Sequence, residues 1–304
     1  LRESRASVRI VHAAGVDIDG EEGSGIAAAL AACDHANAVI LCVGEAASMS
    51  GEAACRVHLD LPGRQRELVE AVLDRTRRPH KPVIVLLFSG RPLAVPWLLE
   101  RADAVLAAWF LGSEAGHALV DVLFGVVSPS GRTPVTWPRA TGQVPLFFGQ
   151  RQGGRPQNPA DHYTSKYLDA PNEPLVPFGY GLTYGHFTYK NLRVPREPVR
   201  LSDTIIVRVD VANEGTRNAE ETVFLFTHGK VAAVSRPVLE LRGFGKIRLD
   251  PGQSGTVTML VAIAELKYTG LTLESAVPVG EIEILVGPCA DRRSLLADRV
   301  VLTP

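Results

Sequence analysis

Ala38-Val39-Ile40-Leu41-Cys42-Val43-Gly44-Glu45-Ala46-Ala47-Ser48-Met49-Ser50-Gly51-Glu52-Ala53-Ala54-Cys55-Arg56 is an apolar, partly β-branched run that breaks at a glycine into a loop of small and polar residues. The run predicts a strand, and the break sets the loop at that strand's carboxyl end, where open α/β sheets place their ligand sites. Glu52 is the leading candidate for chemistry in this loop. Gly51, Ala53 and Ala54 leave room for a ligand around it, and Glu45 and Arg56 bias its protonation in opposite directions.

Outward from this loop, apolar runs alternate with stretches of helical period. Val8 to His12 reads as a strand, Ser24 to Ala36 as an alanine-rich helix, and Gly63 to Arg77 as a helix beginning after Pro62. Val83-Ile84-Val85-Leu86-Leu87-Phe88 is apolar enough to be buried on both faces. Pro96 to Arg101 reads as a short helix, Ala104 to Phe110 as a strand, and Glu114 to Phe124 as a helix. This alternation predicts βαβ units around a mainly parallel sheet flanked by helices, an α/β sandwich over residues 1–137.

From Trp137 to Gly185 the alternation stops and Pro, Gly, Tyr and Asn crowd the chain. Residues 138–185 are expected to form a long linker that packs. From 186 to 304 the period becomes two, in Ile205–Val211, Glu221–Phe226, Gly255–Val261 and Glu281–Val286. Turn signals at Asn213-Glu214-Gly215, Asp250-Pro251-Gly252 and Pro278-Val279-Gly280 separate these runs, which predicts an all-β antiparallel sandwich.

Composition narrows the function classes. The 304 residues are 46% hydrophobic, enough for two cores, and 32 basic against 33 acidic side chains leave a net charge of -1. That balance argues against a broad footprint for nucleic acid or an anionic membrane, and Arg75-Thr76-Arg77-Arg78 reads as a solvated helix end. No stretch approaches the roughly 20 apolar residues of a membrane span. The chain opens on charged Leu1-Arg2-Glu3-Ser4-Arg5 without a signal peptide, so the start is expected to be a cut end. Cys33, Cys42, Cys55 and Cys289 lack metal-ligand spacing and read mainly as buried free thiols, and the histidines show no ligand-like grouping. No metal and no cofactor is expected. No glycine-rich phosphate loop opens a helix, which weakens a nucleotide-binding reading.

A set of segments in collinear order resembles the carboxyl-terminal half of glycoside hydrolase family 3, the β-glucosidases and β-xylosidases. They include Val43-Gly44-Glu45, Ser50-Gly51-Glu52-Ala53, Leu59-Asp60-Leu61-Pro62-Gly63-Arg64-Gln65, Ser89-Gly90-Arg91-Pro92-Leu93, Pro129-Ser130-Gly131-Arg132-Thr133-Pro134 and Pro177-Phe178-Gly179-Tyr180-Gly181-Leu182. Val211-Ala212-Asn213-Glu214-Gly215 and Leu249-Asp250-Pro251-Gly252-Gln253 continue the match. The resemblance implies a six-stranded α/β sandwich followed by a fibronectin type III-like domain. It also implies that Glu52 is the acid/base of a retaining β-glycosidase acting on terminal β-glucosyl or β-xylosyl residues, and that the nucleophile lies on a preceding (β/α)8 barrel. The chain departs from the family there: the barrel and its nucleophile are absent, and so is the first strand of the sandwich. The isolated chain is therefore expected to be inactive. A periplasmic or secreted location is what the resemblance implies.

Arg91 is read as a loop clamp or a contact to a sugar hydroxyl, and Glu45 and Arg56 are further substrate-binding candidates. Trp109 and Phe110 read as core or as an apolar wall for a sugar ring, and Glu114 as part of a helix start. The arm from Gly153 to Tyr167 either packs on its own chain or reaches the pocket rim or the neighbouring subunit of a homodimer. The rival from another class is a non-catalytic module that binds carbohydrate or protein.

Overall fold

A computed structural model describes residues 8–229 and 233–304. The chain divides into two compact units, one holding the residues up to Phe124 together with Trp137–Val144, the other Gly125–Thr136 and Pro145–Pro304.

In the first unit β1 (Val39–Gly44), β2 (Val83–Phe88) and β3 (Ala104–Ala107) form a parallel sheet in the order β1-β2-β3. Central β2 is Val83, Val85, Leu86 and Leu87 at 4% exposure or less, the burial on both faces that its unbroken apolar run demands. Helices α1 (Gly25–Asp34), α2 (Gln65–Arg75), α3 (Pro96–Arg101) and α4 (Ala115–Leu123) alternate with the strands. Leu68, Val69, Val72 and Leu73 recur at helical spacing and give α2 its buried face. Arg75 closes a two-pronged pair on Asp34, at 2.6 Å for each contact, and the Lys81 ammonium donates to the carbonyls of Cys33 and Asp34 at the negative end of α1.

Two expectations need correction. Val8 to His12 joins no strand ladder, so the described sheet holds three strands rather than six. Val8 and Val11 are exposed there: a short alternating run becomes a strand only when a neighbouring strand takes its backbone hydrogen bonds. The strand expected from Ala104 to Phe110 stops at Ala107, because Trp109 takes φ +51, outside the extended region.

The second unit is strand-rich from Phe187 onward. Its strands are β4 (Phe187–Arg193), β5 (Val199–Arg200), β6 (Thr204–Asn213), β7 (Ala219–Gly229), β8 (Glu240–Leu249), β9 (Ser254–Ala262), β10 (Tyr268–Thr269), β11 (Ser275–Ala276), β12 (Gly280–Gly287) and β13 (Leu296–Thr303). A five-stranded sheet, β5-β13-β12-β7-β8, and a three-stranded sheet, β4-β6-β9, enclose one core, with a separate β10-β11 pair. Ile205, Val207, Val209 and Val211 alternate into that core and are each 0% exposed.

β7 is buried on its other face too. There Phe224 and Phe226 carry Phe178 and Phe148, with ring centroids 5.5 and 5.7 Å apart, so the proline- and glycine-rich connection packs on the sheet through aromatic rings. The Pro129–Pro134 and Pro177–Leu182 segments lock together: Thr133 N–H donates to the Tyr180 carbonyl at 2.9 Å and Gly179 N–H to the Thr133 carbonyl at 2.8 Å. Among the described residues no helix is long and apolar enough to cross a membrane.

Candidate active site

Gly44 ends β1 with φ +139, and a Cβ there would lie 1.7 Å from the Phe88 carbonyl oxygen. Only glycine permits that approach of β1 to β2. In the parallel register Gly44 pairs with Phe88, which sets the next residues, Glu45 and Ser89, side by side beyond the carboxyl ends of both strands.

Glu45 is the hub of this region. Its side chain is 0% exposed, and its carboxylate takes Arg56 Nη1 at 2.7 Å, Arg91 Nε at 3.2 Å and Ser89 Oγ at 3.1 Å. Its backbone N–H donates to the Phe88 carbonyl at 2.8 Å. A buried carboxylate needs this saturation, because an unpaired charge in the interior costs several kcal/mol.

Arg91 passes the constraint on to the loop. Its Nη2 donates to the Met49 carbonyl and, at 2.8 Å, to the Ala54 carbonyl, bracketing the turn Ser50-Gly51-Glu52-Ala53. Within the turn Gly51 has φ +115 and Ala53 φ +57, the latter a left-handed conformation that costs a non-glycine residue about 1–2 kcal/mol. Gly90 brings the second loop against the first, since a Cβ on it would lie 1.9 Å from Ser50 Oγ. Glu52, between the two positive-φ residues, is exposed to solvent.

The loop therefore joins all four residues singled out in the sequence. Glu45, Arg56 and Arg91 meet in one ion cluster, and Glu52 stands apart from it on the turn that the cluster brackets. Sequence reading missed Ser89 and Gly90 as partners of this loop, for which the tetrapeptide Ser89-Gly90-Arg91-Pro92 was the available signal. Phe110 is 44% exposed and its ring edge would be 3.1 Å from a Cβ on Gly90, so it offers an apolar surface beside the loop. Trp109 is half-buried, edge to face with Trp137 at 5.9 Å. Glu114 makes no capping bond to α4 and lies instead 3.1 Å from His117 Nδ1. Of the free thiols Cys33 and Cys289 are buried, while Cys42 and Cys55 are exposed, a correction to the expectation for both.

No group of three metal-ligating side chains occurs among the described residues. A cavity of about 480 Å³ in the strand-rich unit is lined by His186, Tyr189 and Glu221 among others. Its acidic group is already engaged: Glu221 accepts from Tyr189 Oη at 2.7 Å and from Arg132 Nη2 at 2.7 Å. Burial pushes the Glu221 carboxyl above its ordinary range and the Tyr189 phenol upward as well.

A helix-flanked parallel sheet with a glutamate-bearing loop at its carboxyl end, followed by a strand-rich sandwich, matches the carboxyl-terminal region of a glycoside hydrolase in the comparison with known families. The chain belongs to glycoside hydrolase family 3: residues 5–184 match the Glycosyl hydrolase family 3 C-terminal domain, and residues 221–290 the Fibronectin type III-like domain. It is 36% identical over 261 residues to a periplasmic beta-glucosidase of Salmonella typhimurium, which covers 85% of this chain and 34% of that protein. It is 35% identical over 284 residues to a beta-xylosidase of Formosa agariphila, covering 92% of this chain and 38% of that one. The crystal structure of a beta-glucosidase from Listeria innocua in complex with glucose superposes with a TM-score of 0.89 at 33% identity, over 95% of this chain and 40% of that chain. The chain thus spans 34% to 40% of the length of these relatives.

Proposed function

We propose that this chain is the carboxyl-terminal portion of a retaining β-glycosidase that removes terminal non-reducing β-D-glucosyl or β-D-xylosyl residues, with Glu52 as its acid/base. The nucleophile belongs to an amino-terminal (β/α)8 barrel outside this chain, and the assembled protein is exported. The observation that supports this most is Glu52 itself, a solvent-facing carboxylate on a braced turn at the carboxyl end of the sheet, in a chain whose longer relatives are a beta-glucosidase and a beta-xylosidase.

Retention needs two carboxyl groups about 5 to 5.5 Å apart, one attacking the anomeric carbon while the other protonates the departing oxygen. Glu52 is the proton donor in that first step. Once the glycosyl-enzyme ester forms, the same carboxylate takes a proton from water as the water attacks the anomeric carbon, which releases the sugar with its configuration kept. A proton donor that works near neutral pH needs its charged form disfavoured, and docking of the loop over the barrel pocket would do this by excluding water. The exposed position in this chain leaves that surface available for the docking.

The test is kinetic. In the assembled enzyme Glu52→Ala should slow hydrolysis of an aryl β-glucoside by about 100-fold or more, and azide should restore turnover while yielding a β-glycosyl azide. Unchanged rates would remove Glu52 from the mechanism. The 304-residue chain alone should not turn over an activated aryl β-glucoside. If it binds cello-oligosaccharides tightly in calorimetry while the assembled protein hydrolyses nothing, the binding-module reading replaces this one.

A further inference from the structure

We infer that Glu45 is a positioning residue: its enclosed carboxylate fixes the 46–56 loop through Arg56 and Arg91, and so sets where the Glu52 carboxyl stands. This deepens the reading of Glu52 as acid/base and rests on it. Two restraints on the loop converge on the one carboxylate, and a third is a backbone bond of the same residue. The loop's entry is tied down by the Glu45 N–H on the Phe88 carbonyl. Its exit is tied by Arg56 at 2.7 Å, and its middle by Arg91, whose Nε rests on Glu45 while Nη2 holds the carbonyls of Met49 and Ala54.

The geometry favours positioning over contact with a sugar. The Glu45 side chain is 0% exposed and both of its oxygens are engaged, Oε1 by Arg56 and Oε2 by Arg91 and Ser89. The turn needs an external brace, because Ala53 holds φ +57 and its one internal backbone bond, Ala54 N–H to the Gly51 carbonyl, is a long 3.3 Å. Without the carboxylate, two guanidinium groups face each other with nothing between them. Arg91 then loses the contact that aims its Nη2, and the turn is free to relax out of its strained form.

Glu45→Gln keeps the shape but removes the charge and points an N–H₂ at two cations. In the 304-residue chain, amides of the 46–56 loop should exchange with solvent at least about tenfold faster, while those of β2 stay unchanged. In the assembled enzyme the loss should depend on the leaving group. For an alkyl β-glucoside, which needs the proton, kcat/KM should fall about 100-fold, the scale of an ångström-sized misplacement. For a dinitrophenyl β-glucoside, which leaves unaided, kcat/KM should fall less than about threefold, while kcat and KM fall together because deglycosylation, which still needs Glu52 as base, becomes limiting. Arg91→Lys, which keeps one charge but loses the two-carbonyl grip, should reproduce the pattern and serves if Glu45→Gln does not fold.

Unchanged loop exchange in both variants overturns the proposal. So does a rise in KM at constant kcat, which would make Glu45 a sugar contact, or an equal loss of kcat/KM for every leaving group, which would indicate general damage. If Glu52→Ala leaves hydrolysis intact, the acid/base reading fails by itself, and the exchange measurement still decides whether Glu45 holds the loop.

Discussion

The side-chain amide of Gln65 satisfies both backbone polar groups of Gly44. Its Oε1 accepts the Gly44 N–H at 2.7 Å and its Nε2 donates to the Gly44 carbonyl at 2.7 Å, with a further bond to the Ile18 carbonyl at 2.6 Å. The first helical residue of α2 thus acts as a surrogate strand at the point where β1 ends. Gln65→Leu would keep the volume and strand two buried backbone groups, so a destabilisation of about 2–4 kcal/mol is expected by urea unfolding. Gln65→Glu would keep the acceptor but set a buried carboxylate oxygen against the Gly44 and Ile18 carbonyls, so it should be no better than Gln65→Leu at pH 7 and should recover stability as the pH falls.

The close passage of Gly90 against Ser50 makes a second prediction. A methyl group on Gly90 would lie 1.9 Å from Ser50 Oγ and 2.5 Å from its Cβ, so Gly90→Ala must displace the turn that carries Glu52. In the assembled enzyme a loss of about 10- to 100-fold in kcat is expected, with a melting temperature close to the parent's. Gly90→Ala combined with Ser50→Gly should regain most of that loss, since the obstructing atoms are gone. Failure of the double variant to recover would show that the Phe110 ring edge, 3.1 Å from the same Cβ, is the obstruction instead.

These contacts show why some features can be read from residues and others cannot. β2 was legible because burial on both faces leaves an unbroken apolar run, whereas β8 was not: Gly243 and Gly245 interrupt it and Arg242, Lys246 and Arg248 mask its alternation. β13 is hidden in the same way by Asp298 and Arg299. Glu52 could be singled out because a strand that breaks at glycine announces a loop at its carboxyl end. The ion cluster behind it could not, because Glu45 and Arg91 meet only through the register of Gly44 with Phe88, and register is a property of the folded sheet.

Asp210 predicts part of the acid response of the strand-rich unit. Its hydrogen bonds from Arg193, Thr256 and Asn191 hold the carboxyl well below the ordinary carboxylate range. A depressed folded-state value gives stability that is fully present above the unfolded value near 3.8 and is lost as pH falls below it. Asp210→Asn should therefore be less stable than the parent at pH 7, and the difference should shrink between about pH 4 and pH 2. Thermal melting followed by circular dichroism across that range reads the effect. Parallel curves for the two proteins would refute it.

The buried pair of Arg132 and Glu221 predicts the opposite sign. Both side chains are nearly enclosed, at 6% and 4% exposure, and burial raises the Glu221 carboxyl even with Arg132 at 2.7 Å. A group whose folded value is raised contributes stability that is fully present below its unfolded value and is lost as pH rises through the folded one. Removing the cation enlarges the raise, because nothing then offsets desolvation, and Arg132→Met should cost about 3–5 kcal/mol near neutral pH by leaving an uncompensated buried charge. Lowering the pH protonates that carboxyl and should return part of the loss. Arg132→Met with Glu221→Gln should be more stable than Arg132→Met alone at pH 8, with little difference between them at pH 4.5, because Tyr189 Oη can still donate to the new amide oxygen. Urea midpoints for the parent and both variants at the two pH values separate this electrostatic account from simple loss of packing, which would destabilise equally at both.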